Sequence, residues 1–179
     1  MTAKKTRTSE NRITLSRHDS PVGRLHLLSR GEVFCFIGFD TDRIQREIDQ
    51  FLARNFSGYE IKQADGEHDK ARRELDQYFS GGLRRFTLKL TLLGTQFQLQ
   101  VWTALRTIPY GTTTTYKAVA AMLGNPESAR AVGGALGRNP LPIVVPCHRV
   151  IGEKGALTGF GGGIERKKLL LQIEGVLLV

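Results

Sequence analysis

The residues best equipped for chemistry lie in one stretch, Pro142-Ile143-Val144-Val145-Pro146-Cys147-His148-Arg149-Val150. A cysteine follows directly on an apolar run bounded by prolines. Pro146 restricts Val145 to extended backbone, so a strand is expected to end there and to present the thiol at a corner. A thiol becomes a nucleophile when its pKa is lowered or its proton is taken away, and His148 is the adjacent group able to do either. Neighbours on an extended chain point to opposite sides, so cooperation between the two requires a turn or a bridging water. Spacing alone leaves two readings open, a nucleophile or a buried inert cysteine.

Nothing else in the chain offers that thiol a partner of its own kind. The only other cysteine, Cys35, is flanked by Phe34 and Phe36 in an expected strand and reads as a packing residue. Two cysteines make no disulfide framework, and the four histidines at 18, 26, 68 and 148 show no zinc-ligand spacing, so neither a metal nor a cofactor is expected. The formal net charge of +9 suits a polyanion such as DNA. After Thr91 nine basic residues stand against four acids, Glu127, Glu153, Glu165 and Glu174, while the first ninety residues mix seventeen with thirteen. The second half is the better candidate for a DNA-facing surface. No apolar run reaches the length of a membrane span, and Met1 to Asn11 is polar and basic, so a cytoplasmic protein without membrane association is expected.

The elements that must position these groups follow from periodicity and turn signals. Residues 1–11 read as a flexible basic tail, 12–90 as an N-terminal α/β domain and 91–179 as a C-terminal domain. In the first domain Ile13/Leu15, Leu25/Leu27 and Val33 to Phe39 read as a small antiparallel meander, with turns at Ser20-Pro21 and Arg30-Gly31. Two amphipathic helices follow, one with Ile44, Ile48, Phe51, Leu52 and Phe56 on a face, the other around Leu75, Tyr78 and Phe79, and then a short strand from Phe86 to Leu90. In the second domain Thr95 and Gln98 stand at capping-box spacing before a helix carrying Val101, Trp102 and Leu105. The stretch Thr115 to Leu123, a break at Gly124, and a new helix with Asn125 as cap and Pro126 at its first position have the layout of a helix-turn-helix. Its second helix is lined with Ala129, Ala131, Gly133, Gly134 and Ala135, small residues that let a backbone come close to the core or to DNA.

From Phe97 to Glu174 the chain resembles the O6-alkylguanine-DNA alkyltransferases, the methylated-DNA–protein-cysteine methyltransferases. The resemblance is carried by Tyr110-Gly111, Tyr116, Gly124-Asn125-Pro126, Ala129 to Gly133, Asn139-Pro140, the Pro-Cys-His-Arg-Val core, Gly155 to Gly163, and Lys167 with Glu174. In the first half Ser20 to Leu25 and Tyr78-Phe79-Ser80-Gly81 are similar as well.

The resemblance implies an α+β protein with a ribonuclease-H-like N-terminal half and a C-terminal winged helix-turn-helix. It implies irreversible, stoichiometric transfer of the alkyl group from O6-alkylguanine in double-stranded DNA to Cys147, with O4-alkylthymine as a further conceivable substrate. On that reading a water and His148, oriented by Glu174, generate the thiolate, and Asn139 ties the preceding turn to the site. Because a guanine inside a duplex cannot present its alkyl carbon to a protein, the nucleotide must be flipped out. Arg130 resembles the residue that fills the gap, and Tyr116 the tyrosine that promotes flipping and protonates the departing base. Ala129 and Gly133 would lie against the minor groove. Val150, Gly159, Phe160 and Gly161 would form the guanine pocket, Phe160 and Gly161 standing where relatives often carry tyrosine and serine and so without hydroxyls to offer. A monomer in solution is implied, with cooperation along DNA left open.

Other classes fit less well. A sensor of alkylated DNA would have no use for Cys147. A transcriptional regulator needs base-reading side chains that an alanine- and glycine-rich helix lacks, and a cysteine hydrolase needs an oxyanion hole for which no residues stand out.

Overall fold

The computed structural model describes residues 12 to 176, so the expected basic tail, residues 1–11, lies outside the described residues. The chain divides into two compact units: residues up to 76 with 87–91, and residues 77–86 with those from 92 onward.

In the first unit β1 (Arg12–His18), β2 (Leu25–Arg30) and β3 (Val33–Phe39) form the expected antiparallel meander, with Leu25, Leu27, Leu28, Cys35 and Ile37 almost wholly buried. Helix α1 (Ile44–Asn55) buries Ile44, Ile48 and Leu52, the face anticipated from their spacing. A fourth strand, β4 (Glu60–Gln63), runs parallel to β1 at the sheet edge and makes the sheet mixed, in the order β3-β2-β1-β4. It has only one apolar residue, Ile61, and therefore no alternation for a sequence reading to detect. Helix α2 (Asp69–Phe79) follows, its last three residues belonging to the second unit. The strand expected at Phe86 to Leu90 is absent among the described residues. Leu90 makes a single parallel bridge to Phe34, while the Thr87 N–H and hydroxyl go instead to the Glu74 carboxylate, which takes the upstream end out of any ladder.

The second unit is mainly helical. Helix α3 (Gln96–Leu105) buries Val101, Trp102 and Leu105, and the Trp102 indole N–H donates to the Ala135 carbonyl at 2.9 Å. The predicted capping box is present: Gln98 N–H donates to Thr95 Oγ1, and Thr95 N–H donates to Gln98 Oε1 at 2.9 Å. Thr95 is exposed, so Thr95→Ala removes the cap with little packing change, and a loss of about 1 kcal/mol in a urea titration is expected.

Strand β5 (Thr114–Thr115) leads into α4 (Tyr116–Met122), whose N-cap Thr115 accepts the Ala118 N–H. After the turn come a 3-10 segment, Pro126–Ser128, and α5 (Ala129–Leu136), which gives the helix-turn-helix. Asn125 differs from its expected role. Its side chain caps nothing, and its carbonyl instead accepts the Ser128 hydroxyl and N–H. Strand β6 (Val150–Ile151) pairs in parallel with β5, and α6 (Ile164–Ile173) closes the described chain. The α+β class, with a small sheet in the first half and a helical second half, is borne out. No helix among the described residues is long and apolar enough to cross a membrane.

Candidate active site

The segment before Cys147 is a compact turn rather than the expected strand. Pro140, Pro142 and Pro146 withhold three amide donors, and Ile143 takes a left-handed backbone (φ 75°), a conformation a β-branched residue adopts only under constraint. Asn139 supplies the constraint. Its Oδ1 accepts the Leu141 N–H at 3.0 Å and its Nδ2 donates to the Val145 carbonyl at 2.8 Å, while Val145 N–H closes back onto the Leu141 carbonyl. The same Nδ2 also donates to Cys147 Sγ at 3.1 Å. Pro146 (φ −81°, ψ 64°) has inverse γ-turn geometry, with Cys147 N–H bonded to the Val145 carbonyl, and Cys147–Arg149 form one 3-10 turn. That is the turn the sequence required if Cys147 and His148 are to cooperate.

His148 is fully buried and its Nε2 lies 2.8 Å from Glu174 Oε1, so the Nε2–H tautomer is assigned by its acceptor. Arg149, absent from the sequence-derived site, clamps the same carboxylate with Nε on Oε2 and Nη2 on Oε1, both at 2.9 Å, and donates through Nη1 to the Ile108 carbonyl. Gly111 N–H donates to Oε2 at 3.1 Å and the Tyr78 hydroxyl to Oε1 at 2.8 Å. Glu174 reaches this point because α6 ends on it. Gly175 (φ 78°) turns the chain, Gly175 N–H bonds the Gln172 carbonyl and Val176 N–H the Leu171 carbonyl, a glycine C-cap that stops the helix with the carboxylate facing inward.

Ionisation follows from this geometry. Burial works against the Glu174 charge, but hydrogen bonds from His148 and Arg149 and their positive charge outweigh it and hold the carboxyl down at about 2. Burial lowers His148, against the pull of Glu174, so its imidazole is neutral near pH 7. Burial likewise raises the Cys147 thiol, with the Asn139 bond and the Lys167 charge only partly offsetting it. The resting pair is therefore a thiol beside a neutral base, and the nucleophile has to be made by moving a proton. No hydrogen bond joins Sγ to the ring among the described residues, and His148 Nδ1 is buried without a protein partner.

Tyr116 stands at the start of α4, and its hydroxyl donates to the Thr158 carbonyl at 3.0 Å. Side chains added at Gly133 on α5 or at Gly159 would meet its ring or hydroxyl at 3.7 and 3.5 Å, so the tyrosine lies between the small-residue helix and the glycine loop. Lys167, wholly buried on α6, donates to the Val150 carbonyl at 2.6 Å and to the same Thr158 carbonyl at 2.8 Å. Burial brings its pKa down to about 8. Val150 is buried in β6. Phe160 is half-buried and Gly159 and Gly161 are exposed in the loop after it. Ala129 and Arg130 open α5, and Arg130 is exposed, with no ion pair to Glu127 and no bond to the Cys147 cluster among the described residues. Tyr78, Arg149 and Lys167 are the residues the sequence-derived site lacked. Their signals were the Tyr78-Phe79-Ser80-Gly81 stretch, the arginine inside the cysteine motif and the Lys167–Glu174 spacing.

Two family models cover almost all of the described chain: the 6-O-methylguanine DNA methyltransferase ribonuclease-like domain over residues 13–92 and the DNA binding domain of the same family over 96–176. The chain is 41% identical over 157 residues to the methylated-DNA–protein-cysteine methyltransferase of Methanosarcina acetivorans, spanning 88% of this chain and 95% of that one. The chain belongs to the 6-O-methylguanine DNA methyltransferase family. A second family member, from Mycobacterium leprae, is 44% identical over 156 residues, covering 87% of this chain and 88% of its own. Among solved structures, the Mycobacterium tuberculosis OGT in complex with DNA superposes with a TM-score of 0.77 at 42% identity over 91% of this chain and 92% of that one. The O6-methylguanine-DNA methyltransferase of Pyrococcus kodakaraensis does so with 0.67 at 29% identity, over 92% and 99%.

Proposed function

We propose that this protein repairs DNA by taking the alkyl group of an O6-alkylguanine onto Cys147, once per molecule. The observation that carries the reading is the Cys147 turn: a buried thiol held by Asn139, next to a neutral histidine whose far nitrogen is fixed by an ionised carboxylate. The thiol proton moves to His148 Nδ1 through a water, and Glu174 stabilises the imidazolium across Nε2. The thiolate attacks the alkyl carbon, the S–C bond forms as the C–O6 bond breaks, and the electron pair leaves with the base. Tyr116 supplies the proton that completes neutral guanine. The thioether has no leaving group that water displaces readily, so the site is spent.

The base reaches Cys147 only if it is flipped out of the duplex, and the exposed, unpaired Arg130 at the head of α5 is the side chain that takes its place. Ala129 and Gly133 keep that helix face flat enough to lie in the minor groove. Val150, Gly159, Phe160 and Gly161 form the pocket, offering backbone groups and one aromatic face. Residues 91–179 carry DNA binding and alkyl acceptance, and of the expected N-terminal domain, 12–90, residues 77–86 fall in the same compact unit as Cys147. The protein acts as a cytoplasmic monomer.

The test is the intact mass and peptide map of the protein after mixing with excess duplex carrying one O6-methylguanine. One methyl on Cys147 and a reaction that stops at one equivalent support transfer. DNA binding with no gain of mass overturns it. Arg130→Ala separates flipping from chemistry: methyl transfer from the duplex is expected to slow by about tenfold to a hundredfold, the scale of an unstacking cost of a few kcal/mol, while reaction with free O6-benzylguanine is unchanged. Equal slowing of both would remove Arg130 from the flipping step.

A further inference from the structure

Tyr78 comes from the part of the chain matched by the ribonuclease-like family model, yet residues 77–86 belong with the compact unit that carries Cys147. Its side chain is wholly buried. The ring packs edge-on to Phe79 and Tyr110, with centroids 5.3 and 6.1 Å away, and tilted on Phe86 at 5.3 Å. Its hydroxyl donates to Glu174 Oε1 at 2.8 Å, the oxygen that also serves His148, and lies 3.4 Å from His148 Nε2. Burial and the adjacent carboxylate hold that hydroxyl protonated well above the usual phenol range, so it is a donor at every working pH.

A carboxylate has about four in-plane acceptor positions. Oε2 of Glu174 receives Arg149 Nε and Gly111 N–H, and Oε1 receives His148, Tyr78 and Arg149 Nη2. Arg149 and Gly111 keep the group ionised and hold its plane, but neither stands beside the imidazole on Oε1; the tyrosine hydroxyl does, 3.4 Å from His148 Nε2. The tyrosine fixes Oε1 against His148 Nε2 and, by donating to the same oxygen, spreads its charge.

We propose that Tyr78 is a positioning residue for alkyl transfer, holding Glu174 so that His148 stays neutral, with its proton on Nε2 and Nδ1 free to receive the thiol proton. The inference rests on the transfer reading above and assigns residues 77–86 to the alkyl-acceptor machinery. Without the phenol, Oε1 bears more negative charge and favours the imidazolium, so His148 titrates at higher pH. A histidine already protonated cannot take the thiol proton, so the acid limb of the rate profile moves up with it.

The measurement is the single-turnover rate of methyl transfer at saturating O6-methylguanine duplex from pH 5 to 9, for the full chain and for Tyr78→Phe, which keeps the ring contacts. An acid limb displaced upward by about half to one pH unit, with DNA affinity unchanged, is the expected result. A limb superimposable on that of the unaltered protein overturns the proposal, whatever happens to the melting temperature. Trifluorotyrosine at position 78 guards against a folding defect. It has nearly the same shape and is a stronger donor, so the limb should move down, and an unmoved limb overturns the proposal equally. If the unaltered protein accepts no methyl at all, it is the transfer reading that fails.

Discussion

Cys147→Ser will bind O6-methylguanine duplex as the unaltered protein does and will take no methyl from it. Oxygen replaces sulfur in a space set by the Asn139 amide, which can donate to a hydroxyl as it does to Sγ, so the turn and its Val145 and Leu141 bonds should stay in place. The chemistry does not survive the exchange. A serine hydroxyl is far less acidic than a thiol, and a neutral imidazole next to it cannot generate a useful concentration of alkoxide. The alkyl carbon is also a soft, saturated centre at which sulfur is the better nucleophile. The rate is expected to fall on the order of a millionfold, the scale found when the nucleophile of a covalent catalyst is removed. Transfer at even a hundredth of the normal rate, or a methyl found elsewhere on the peptide map, would disqualify Cys147 as the acceptor.

Glu174→Gln should damage both stability and rate. The carboxylate is the only anion among the described residues paired with buried Arg149, and it also receives His148, Tyr78 and Gly111. Neutralising one partner of such a pair leaves the other charge buried and unmet, a cost of about 3–5 kcal/mol. The loss should depend on pH. The carboxyl is held down at about 2 in the folded chain against an ordinary 4.5. As pH falls, the unfolded chain therefore binds this proton first. The resulting contribution, about 3 kcal/mol, is fully present above pH 4.5 and declines as pH falls towards 2. Urea midpoints for the unaltered chain and the variant should differ widely at pH 7, and the gap should narrow steadily as pH falls from 4.5 to 2. A gap that stays constant over that range would mean that Glu174 is not held ionised by its neighbours. Transfer should slow on the order of 10²- to 10⁴-fold, as when an orienting carboxylate is removed from a histidine base.

What the sequence disclosed and what it concealed divide along physical lines. The meander, α1, α3 and the helix-turn-helix were legible because burial on one face imposes a period, and Thr95 and Gln98 announce a helix start by local bonding alone. Strand β4 was not, since an edge strand with a single apolar residue carries no alternation. The run Ile143-Val144-Val145 misled in the opposite way. Three β-branched residues in a row read as a strand, but side-chain bonds from Asn139, only two and six residues away, and three prolines decide the local structure, and the apolar side chains are buried in a turn. At the site, Cys147, His148, Asn139, Glu174 and Tyr116 could be named through the family resemblance, and the structure gives each a geometry. Arg149 was hidden by its own type. Arginine in a basic chain reads as a solvated or phosphate-facing charge, and nothing local reveals that this one is buried on a carboxylate twenty-five positions away. Tyr78 was hidden by distance, ninety-six positions from the glutamate it serves.

The carbonyl of Thr158, which receives both the Tyr116 hydroxyl and the Lys167 ammonium, acts as a pin in the loop proposed above to wall the pocket. Around it the backbone passes through positive φ at Gly155, Gly159 and Gly163, conformations that cost glycine little and let the chain pivot. The pin divides the loop into two stretches, each with a tie of its own, Gly152 N–H to the Ala156 carbonyl upstream and Gly163 N–H to the Phe160 carbonyl downstream, so each would move as a flap rather than the whole as one lid. On the proposed pocket, the size of adduct admitted would depend on how far each flap swings about residue 158, with Phe160 on the downstream one. Side chains introduced at Gly155 or Gly163, where an added Cβ meets nothing within 4 Å, would stiffen one flap and leave the other free, which makes the breadth of substrates accepted separable from the chemistry at Cys147.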